Sequence, residues 1–230
     1  MSAELSTGIA YRMRRSVAAA ALAVVAAISG PVAAFANDVC HEEAMLVFDA
    51  SGSMATRLPG ANASKIDIAR RAAADVLPDI TAQRATGLVT YGGIPGSACN
   101  SVNLRLPPMS NSADLILAEL LTLSPSGQTA LSQATWLAAQ TIDRKKRPGT
   151  VVLVTDGLEN CGLNACALGT KLHAEAPQLK VHVIGFRIGS RSEQSIACLA
   201  QATGGTYTSV EGYEDLRRAL RVTLSCPKIS

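Results

Sequence analysis

The sequence has little excess charge, few aromatic residues and few histidines. Lys and Arg outnumber Asp and Glu by only three in 230 residues, so the chain offers no basic surface of the kind that binds nucleic acid or anionic lipid. Aromatic residues make up 3% and hydrophobic residues 48% of the chain, an ordinary Ala-rich composition with enough length for one sizeable core. No internal repeat, low-complexity tract or second domain is recognisable.

The sequence also lacks the common patterns of catalysis. The serine hydrolase elbow Gly-x-Ser-x-Gly does not surround Ser51 or Ser53, and none of the three histidines is placed to activate a serine. Asp49 follows an apolar strand, as a phosphotransfer nucleophile does, but Ser51 stands where such enzymes carry a second Asp. We therefore predict that the protein is not an enzyme, with a metal-dependent hydrolase as the weaker alternative.

No apolar run is long enough for an ordinary membrane span. The longest N-terminal run, Val17–Ile28, has 12 residues; arginines precede it and small residues follow it up to Ala36. This pattern predicts a signal peptide over residues 1–36, with Met13 as an alternative start, and an exported domain over 37–230. An uncleaved anchor is the alternative. Without residues 1–36, which hold three Arg and one Glu, the chain keeps 18 basic and 17 acidic residues.

Six cysteines lie in the exported part, and an even count there predicts a disulfide framework in a periplasmic or secreted protein. Six cysteines allow fifteen pairings, so the sequence does not determine the connectivity. We expect Cys161–Cys166 as a small loop and Cys40–Cys226 as a staple of the two ends, which leaves Cys99 with Cys198. A zinc site at Cys161 and Cys166 is a weaker alternative, because no histidine stands at ligand spacing.

Apolar segments of strand length alternate with longer helical patterns, which predicts an α/β fold with a mostly parallel sheet. The segment 150–155 is among the most apolar and is expected in the centre of the sheet. The predicted strands are 44–48, 85–91, 102–106, 150–155, 179–186 and 206–209. The predicted helices are 65–80, 112–122, 129–143, 165–175, 192–202 and 212–224.

Oxygen-bearing side chains follow two of these strands. Asp49, Ser51 and Ser53 alternate on the turn after the first strand, and Asp156 follows the strand 150–155. A third loop brings Thr129 just before a helical segment. Hard divalent cations such as Mg²⁺ prefer oxygen ligands and take one or two carboxylates, with water completing the octahedron. The sequence therefore predicts a metal site; the alternative is that the two aspartates only cap turns.

The set Asp49-x-Ser51-x-Ser53 with Thr129 and Asp156 resembles the metal-ion-dependent adhesion site (MIDAS) of the von Willebrand factor A domain family. The resemblance runs from about residue 40 to residue 224 and keeps all five positions. It implies a doubly wound, Rossmann-like sheet in the order 3-2-1-4-5-6, with helices on both faces and an antiparallel edge strand at 102–106. It also implies that the three hydroxyls contact the metal directly and that one or both aspartates act partly through bound water.

Neutral hydroxyls leave much of a cation's charge unneutralised, so an open coordination position attracts an acidic group. We therefore predict an exported binding module that holds Mg²⁺ or Mn²⁺ and recognises an Asp or Glu carboxylate of a protein partner. The alternative is a structural component of an envelope assembly in which the metal only stabilises the fold. The sequence does not indicate the oligomeric state.

Several neighbouring residues carry weaker expectations. Gly52 and Gly157 fit a close backbone approach to an ion or a positive φ. Glu159 is expected either to contact a metal-bound water or to lie in a solvated loop. The rim of the site is expected to comprise residues 92–100, Asn160, Asn164 and the loop 161–166.

Overall fold

The computed structural model describes residues 40–60, 62–94, 96, 99–142 and 148–226. The predicted signal peptide and the two alternative starts lie outside these ranges. Within them, no helix is both long and apolar enough to cross a membrane. The strands are β1 Glu43–Ala50, β2 Thr86–Gly92, β3 Asn103–Met109, β4 Gly149–Thr155, β5 Leu179–Phe186 and β6 Tyr207–Val210. The helices are α1 Lys65–Gln83, α2 Ala113–Thr122, α3 Leu131–Thr141, α4 Ala165–Glu175, α5 Ser190–Ala202 and α6 Tyr213–Leu224.

The six strands form one sheet in the order β3-β2-β1-β4-β5-β6. All neighbours are parallel except β2 and β3, so β3 is the antiparallel edge strand. The strand 150–155, expected in the centre, lies there as β4 between β1 and β5. The predicted α/β fold and its strand order are confirmed.

Helices cover both faces of the sheet because the central strands are apolar on both sides. Leu46 and Phe48 of β1 belong to the core that packs under α1, α2 and α6. Met45 and Val47 point the other way, into the core under α3, α4 and α5. This period of two places Asp49 on the face of Met45 and Val47, at the carboxyl end of the strand.

Helix α1 begins where the sequence predicts. Ser64 and Asp67 form a capping box, in which the Asp67 N–H donates to Ser64 Oγ and the Ser64 N–H donates to Asp67 Oδ2. A short 3-10 turn, Gly52–Ala55, lies between β1 and α1 and was not predicted. Helix α3 begins at Leu131 rather than at 129, which leaves Thr129 in the loop before the helix.

All six cysteines are in disulfides, and two of the three expected pairs are wrong. Cys40–Cys226 is confirmed, but Cys161 pairs with Cys99 and Cys166 pairs with Cys198. Cys166 lies in the first turn of α4, which packs closely on α5: a Cβ added to Gly169 of α4 would be 3.0 Å from the Leu199 Cα. Cys166 therefore bridges to α5 rather than to Cys161. Because each sulfur has another partner, the alternative zinc site is wrong as well.

A buried arginine connects the two ends of the domain at the amino-terminal end of the parallel strands, next to Cys40–Cys226. The Arg84 side chain is 1% exposed and donates to the backbone carbonyls of Glu42, at 3.0 Å, and Leu224, at 3.1 Å. It also donates to Thr150 Oγ1 at 2.6 Å and pairs with the Glu42 carboxylate at 3.3 Å. One guanidinium thus connects β4 with both ends of the domain.

Candidate metal centre

The two predicted aspartates meet at the carboxyl ends of adjacent parallel strands. The Asp156 N–H lies 3.4 Å from Asp49 Oδ2. Ser53 Oγ donates to Asp156 Oδ1 at 2.6 Å, and the hydroxyl oxygens of Ser51 and Ser53 are 3.2 Å apart. Ser51, Asp49 and Asp156 are buried, whereas Ser53 is exposed at the opening of the cluster.

Thr129 reaches the same cluster from the loop before α3. A Cβ placed on Gly157 would lie 3.5 Å from Thr129 Oγ1 and 3.8 Å from Ser53 Oγ, so both hydroxyls border one small volume. The structure therefore brings together all five residues that the sequence singled out.

Backbone hydrogen bonds join the loop after β1 to the loop before α3. The Gly52 N–H donates to the Gly127 carbonyl at 3.2 Å, and the Ser126 N–H donates to the Ala50 carbonyl at 3.0 Å. Gly92 at the end of β2 has φ +75°, and a Cβ there would lie 2.5 Å from Ala50 atoms. Gly52 and Gly157, in contrast, have no positive φ, so that part of their expectation is wrong.

Glu159 and Asn160 clamp the loop that carries Thr129. Asn160 Oδ1 accepts the Thr129 N–H at 2.6 Å, and the Asn160 N–H donates to the Thr129 carbonyl at 3.2 Å. The Glu159 carboxylate accepts the N–H groups of Ser132, at 2.7 Å, and Cys161, at 2.8 Å. Glu159 thus caps the first turn of α3, where a negative charge is favourable. These bonds replace the expectation that Glu159 lies in a solvated loop, whereas Asn160 is exposed, as expected for a residue of the rim.

Asp49 is an enclosed carboxylate. Its Oδ1 accepts the Ser51 N–H at 2.7 Å, and its Oδ2 accepts the Thr155 hydroxyl at 2.8 Å. Burial raises the pKa of the Asp49 carboxyl above its ordinary value, and the negative charge of Asp156 raises it further. Two carboxylates this close repel each other, and the repulsion is relieved when a cation lies between them.

A buried phenol adjoins this carboxylate. Tyr91 on β2 is the register partner of Asp49 on β1. The Tyr91 hydroxyl is near Asp49 and Thr155, but no described residue is in hydrogen-bonding geometry with it. Burial, followed by the charge of Asp49, raises the pKa of Tyr91 well above its ordinary value. The phenol therefore stays neutral and adds no charge to the cluster.

A lysine supplies the positive charge nearest to the two aspartates. Lys65 Nζ lies 2.7 Å from Asp156 Oδ2, and the side chains are 12% and 0% exposed. Asp156 thus receives a donor on each oxygen, Ser53 on Oδ1 and Lys65 on Oδ2.

The rim of the cluster is partly apolar. The disulfide Cys99–Cys161 joins the loop after β2 to the loop after β4. Ile94 is 44% exposed, Leu158 36% and Leu163 48%, and all three lie in these two loops. Asn164, expected at the rim, instead caps α4, because its side chain accepts the Ala167 N–H at 3.0 Å.

The residues fit a divalent cation. Three hydroxyls and two carboxylates meet at one edge of the sheet, and the oxygen-only set suits Mg²⁺ or Mn²⁺ better than metals that prefer nitrogen or sulfur. The sequence profile of the von Willebrand factor type A domain matches residues 44–159, which span β1 to the loop after β4 and contain all five positions. The chain belongs to this family.

One curated relative resembles this chain in sequence, and several solved structures resemble it in fold. YwmD, an uncharacterized protein of Bacillus subtilis (strain 168), is 28% identical over 183 residues, or 76% of this chain and 81% of YwmD. The PilB minor pilin of Streptococcus sanguinis superposes with a TM-score of 0.59 at 18% identity over 80% of this chain and 62% of the pilin. The SpRpn10 VWA domain gives a TM-score of 0.61 at 13% identity over 84% of this chain and 100% of that domain.

A further neighbour, proximal thread matrix protein 1 from the mussel byssus, was solved with a zinc-occupied MIDAS motif. It has a TM-score of 0.59 and 18% identity over 81% of this chain and 45% of its own length. At such identities the three solved structures establish a common fold and nothing more.

The sequence did not predict the contacts that position these five residues. The contacts of Lys65, Thr155 and Asn160 follow from the tertiary structure. Thr155 directly precedes Asp156 at the end of the apolar strand, and this adjacency is the signal in the sequence that could have indicated its role.

Proposed function

We propose that the protein is an exported von Willebrand A binding domain that holds one divalent cation and uses it to bind a carboxylate of a partner protein. Asp49, Ser51, Ser53, Thr129 and Asp156 hold the ion. The observation that carries this proposal is the convergence of these five side chains, with exposed Ser53 at the opening and buried carboxylates beneath it.

The donor set favours Mg²⁺ or Mn²⁺. Every donor is an oxygen, and two carboxylates with neutral hydroxyls are typical of the hard cations. Zinc occupies the MIDAS motif of the mussel byssus protein, but it more often takes nitrogen and sulfur ligands. We therefore do not expect this oxygen-only donor set to select zinc over Mg²⁺ or Mn²⁺.

The expected partner surface is an acidic side chain with apolar neighbours. An open coordination position on an incompletely neutralised ion attracts Asp or Glu. The exposed leucines Leu158 and Leu163 beside the cluster would then contact apolar groups that flank this acid. We propose that such a module binds its partner rather than catalysing a reaction.

The three disulfides support an exported location, periplasmic or secreted, because disulfides persist in oxidising compartments. One structural neighbour is a minor pilin, which fits a role at or outside the cell surface. The signal peptide over residues 1–36 remains a prediction.

A thermal melt with intact disulfides tests the ion-binding part. At about 100-fold excess over its Kd, an ion that binds only the folded state adds about 2.7 kcal/mol. For a domain of this size the melting temperature should rise by about 5 to 10 °C when chelator is replaced by Mg²⁺. Ser53→Ala should abolish the rise, whereas Ser195→Ala, on the exposed face of α5, should keep it.

Asp49→Ala separates adhesion from a purely structural role. Retained folding with lost binding of an acidic partner supports the proposal, and unfolding that Mg²⁺ cannot reverse favours the structural alternative. No rise in the unsubstituted protein, together with no heat on titration with Mg²⁺ or Mn²⁺, would contradict the proposal.

A further inference from the structure

Lys65 occupies an unusual place for a cation next to a proposed cation site. Its ammonium contacts Asp156 Oδ2 at 2.7 Å, and Asp156 is one of the five proposed ligands. The Asp156 side chain is fully buried and that of Lys65 is 12% exposed. An ion pair so shielded from water is weakly screened by salt.

The direction of the Lys65 side chain is set by the start of α1. Lys65 is the first residue of the helix and directly follows the N-cap Ser64, inside the capping box that Ser64 forms with Asp67. Its own N–H donates to the Thr56 carbonyl at 2.9 Å, which ties the helix start to the 3-10 turn that carries Ser53. The ammonium is therefore directed at the cluster by the same segment that directs Ser53.

The charges of the cluster follow from these residues. Asp49 and Asp156 as carboxylates carry two negative charges, and Lys65 neutralises one of them. A divalent cation beside the two carboxylates alone would give a neutral site, but with the lysine present the site has one positive charge in excess. A carboxylate from outside restores neutrality.

We propose that Lys65 is an internal counter-cation that weakens ion binding by the isolated domain and makes stable occupancy depend on the partner's carboxylate. This inference rests on the metal-dependent function proposed above. Lys65 does not contact the ion in this proposal; its charge positions Asp156 and lowers the affinity of the site for the ion. In the ion-free protein, Lys65 relieves the repulsion between the two aspartates; in the ion-bound protein, it repels the ion and attracts the partner's acid.

The expected size of the effect follows from Coulomb's law. Even with the dielectric constant of bulk water, a unit charge and a divalent cation a few ångströms apart repel by an energy that corresponds to about tenfold in affinity. Lower effective dielectric constants apply to buried groups, so about tenfold is the lower bound for removal of the lysine charge.

The test is titration calorimetry with Mg²⁺ alone on the purified protein and three variants. Lys65→Met removes the charge and keeps most of the length, and Lys65→Arg keeps the charge. Lys180→Met is the matched control, because Lys180 is an exposed lysine near the amino end of β5, at the opposite end of the strands from the cluster. We expect Lys65→Met to bind Mg²⁺ at least about tenfold more tightly, and Lys65→Arg and Lys180→Met to stay within about threefold of the unsubstituted protein.

Acetate serves as the probe for the partner's carboxylate. The titrations are repeated in acetate and in chloride at equal ionic strength, with the binding of Mg²⁺ by acetate itself subtracted. Acetate should strengthen Mg²⁺ binding in the unsubstituted protein and in Lys180→Met, and much less in Lys65→Met, where no excess positive charge remains.

The outcomes distinguish this inference from the function on which it rests. Mg²⁺ binding by the unsubstituted protein and by Lys65→Met with equal affinity, or weaker binding by the variant, overturns the role of Lys65 and leaves the metal site intact. No Mg²⁺ binding by either protein overturns the proposed function and the inference together.

Lys65→Met could lose its fold in chelator because the two aspartates would face each other without a counter-charge. Far-UV circular dichroism then provides the readout. Refolding of this variant at a Mg²⁺ concentration that leaves the melting temperature of the unsubstituted protein unchanged supports the inference, because the ion replaces the ammonium. A variant that no concentration of Mg²⁺ refolds contradicts it.

Discussion

Thr155→Val should destabilise the domain more than the same substitution at another buried threonine. Thr155 Oγ1 donates to Asp49 Oδ2 at 2.8 Å, and both residues are fully buried. The other donor to that oxygen, the Asp156 N–H, is 3.4 Å away, which is long for a hydrogen bond. Valine has nearly the same shape and suits a strand, so the substitution removes little besides the hydroxyl.

The matched control is Thr86→Val on β2. Thr86 is also fully buried, but its hydroxyl donates to the neutral Arg84 carbonyl at 3.0 Å. A hydrogen bond to a charged group is worth about 1.5 to 3 kcal/mol and one between neutral groups about 0.5 to 1.5 kcal/mol. Thr155→Val should therefore lower the free energy of unfolding by about 1.5 to 3 kcal/mol and Thr86→Val by about 0.5 to 1.5 kcal/mol.

The assay is urea unfolding of both variants in chelator with oxidised disulfides, followed by circular dichroism. Equal slopes with denaturant would show that the change is one of stability and not of the unfolded state. A cost of Thr155→Val no larger than that of Thr86→Val would refute the reasoning, because it would mean that the Asp49 carboxylate does not depend on this hydroxyl.

Two further substitutions test parts of the domain away from the cluster. Arg84→Met should lower the free energy of unfolding by about 3 kcal/mol, because it leaves buried acceptors unpaired. The control, Arg218→Met on the exposed face of α6, should lower it by less than about 0.5 kcal/mol, and urea unfolding compares the two variants. Burial lowers the pKa of His182 from 6.5, and its Nδ1 accepts a backbone N–H. As the pH falls, the His182 imidazole therefore binds a proton more readily in the unfolded chain than in the folded one. Through this group the free energy of unfolding should fall below about pH 6.5, by at most about 1.4 kcal/mol per pH unit. Between about pH 7.5 and about pH 5, the His182→Gln variant should lose less stability than the unsubstituted protein.

The fold could be predicted because local signals agree with the tertiary structure. The strand 150–155 is apolar on both faces and lies in the sheet centre as β4. Ser64 and Asp67 marked the start of α1 correctly. The strand order came from the family resemblance, since the sequence pattern alone does not determine which strands are neighbours.

The cysteine pairing could not be predicted because it depends on helix packing. Cys161 and Cys166 are close in sequence, but Cys166 lies on α4 and bridges to Cys198 on α5, while Cys161 bridges across the rim to Cys99. Sequence proximity favours a small loop, whereas the packing of α4 on α5 and the approach of the two rim loops select the observed partners.

The five oxygen-bearing residues were identifiable, but the groups that position them were not. Lys65 is 91 residues from Asp156 in the chain, and the Asn160 side chain bonds to the backbone of Thr129, 31 residues earlier. Such contacts leave no periodic or spaced pattern. They arise because parallel strands bring their carboxyl ends, and hence distant loops, to one edge of the sheet.

The central claim is that Asp49, Ser51, Ser53, Thr129 and Asp156 together hold a divalent cation. The most direct test is an anomalous difference map from crystals grown with saturating Mn²⁺. We predict one strong peak within bonding distance of the hydroxyls of Ser51, Ser53 and Thr129. A map without a peak among these oxygens, or with its strongest peak elsewhere on the domain, would contradict the account.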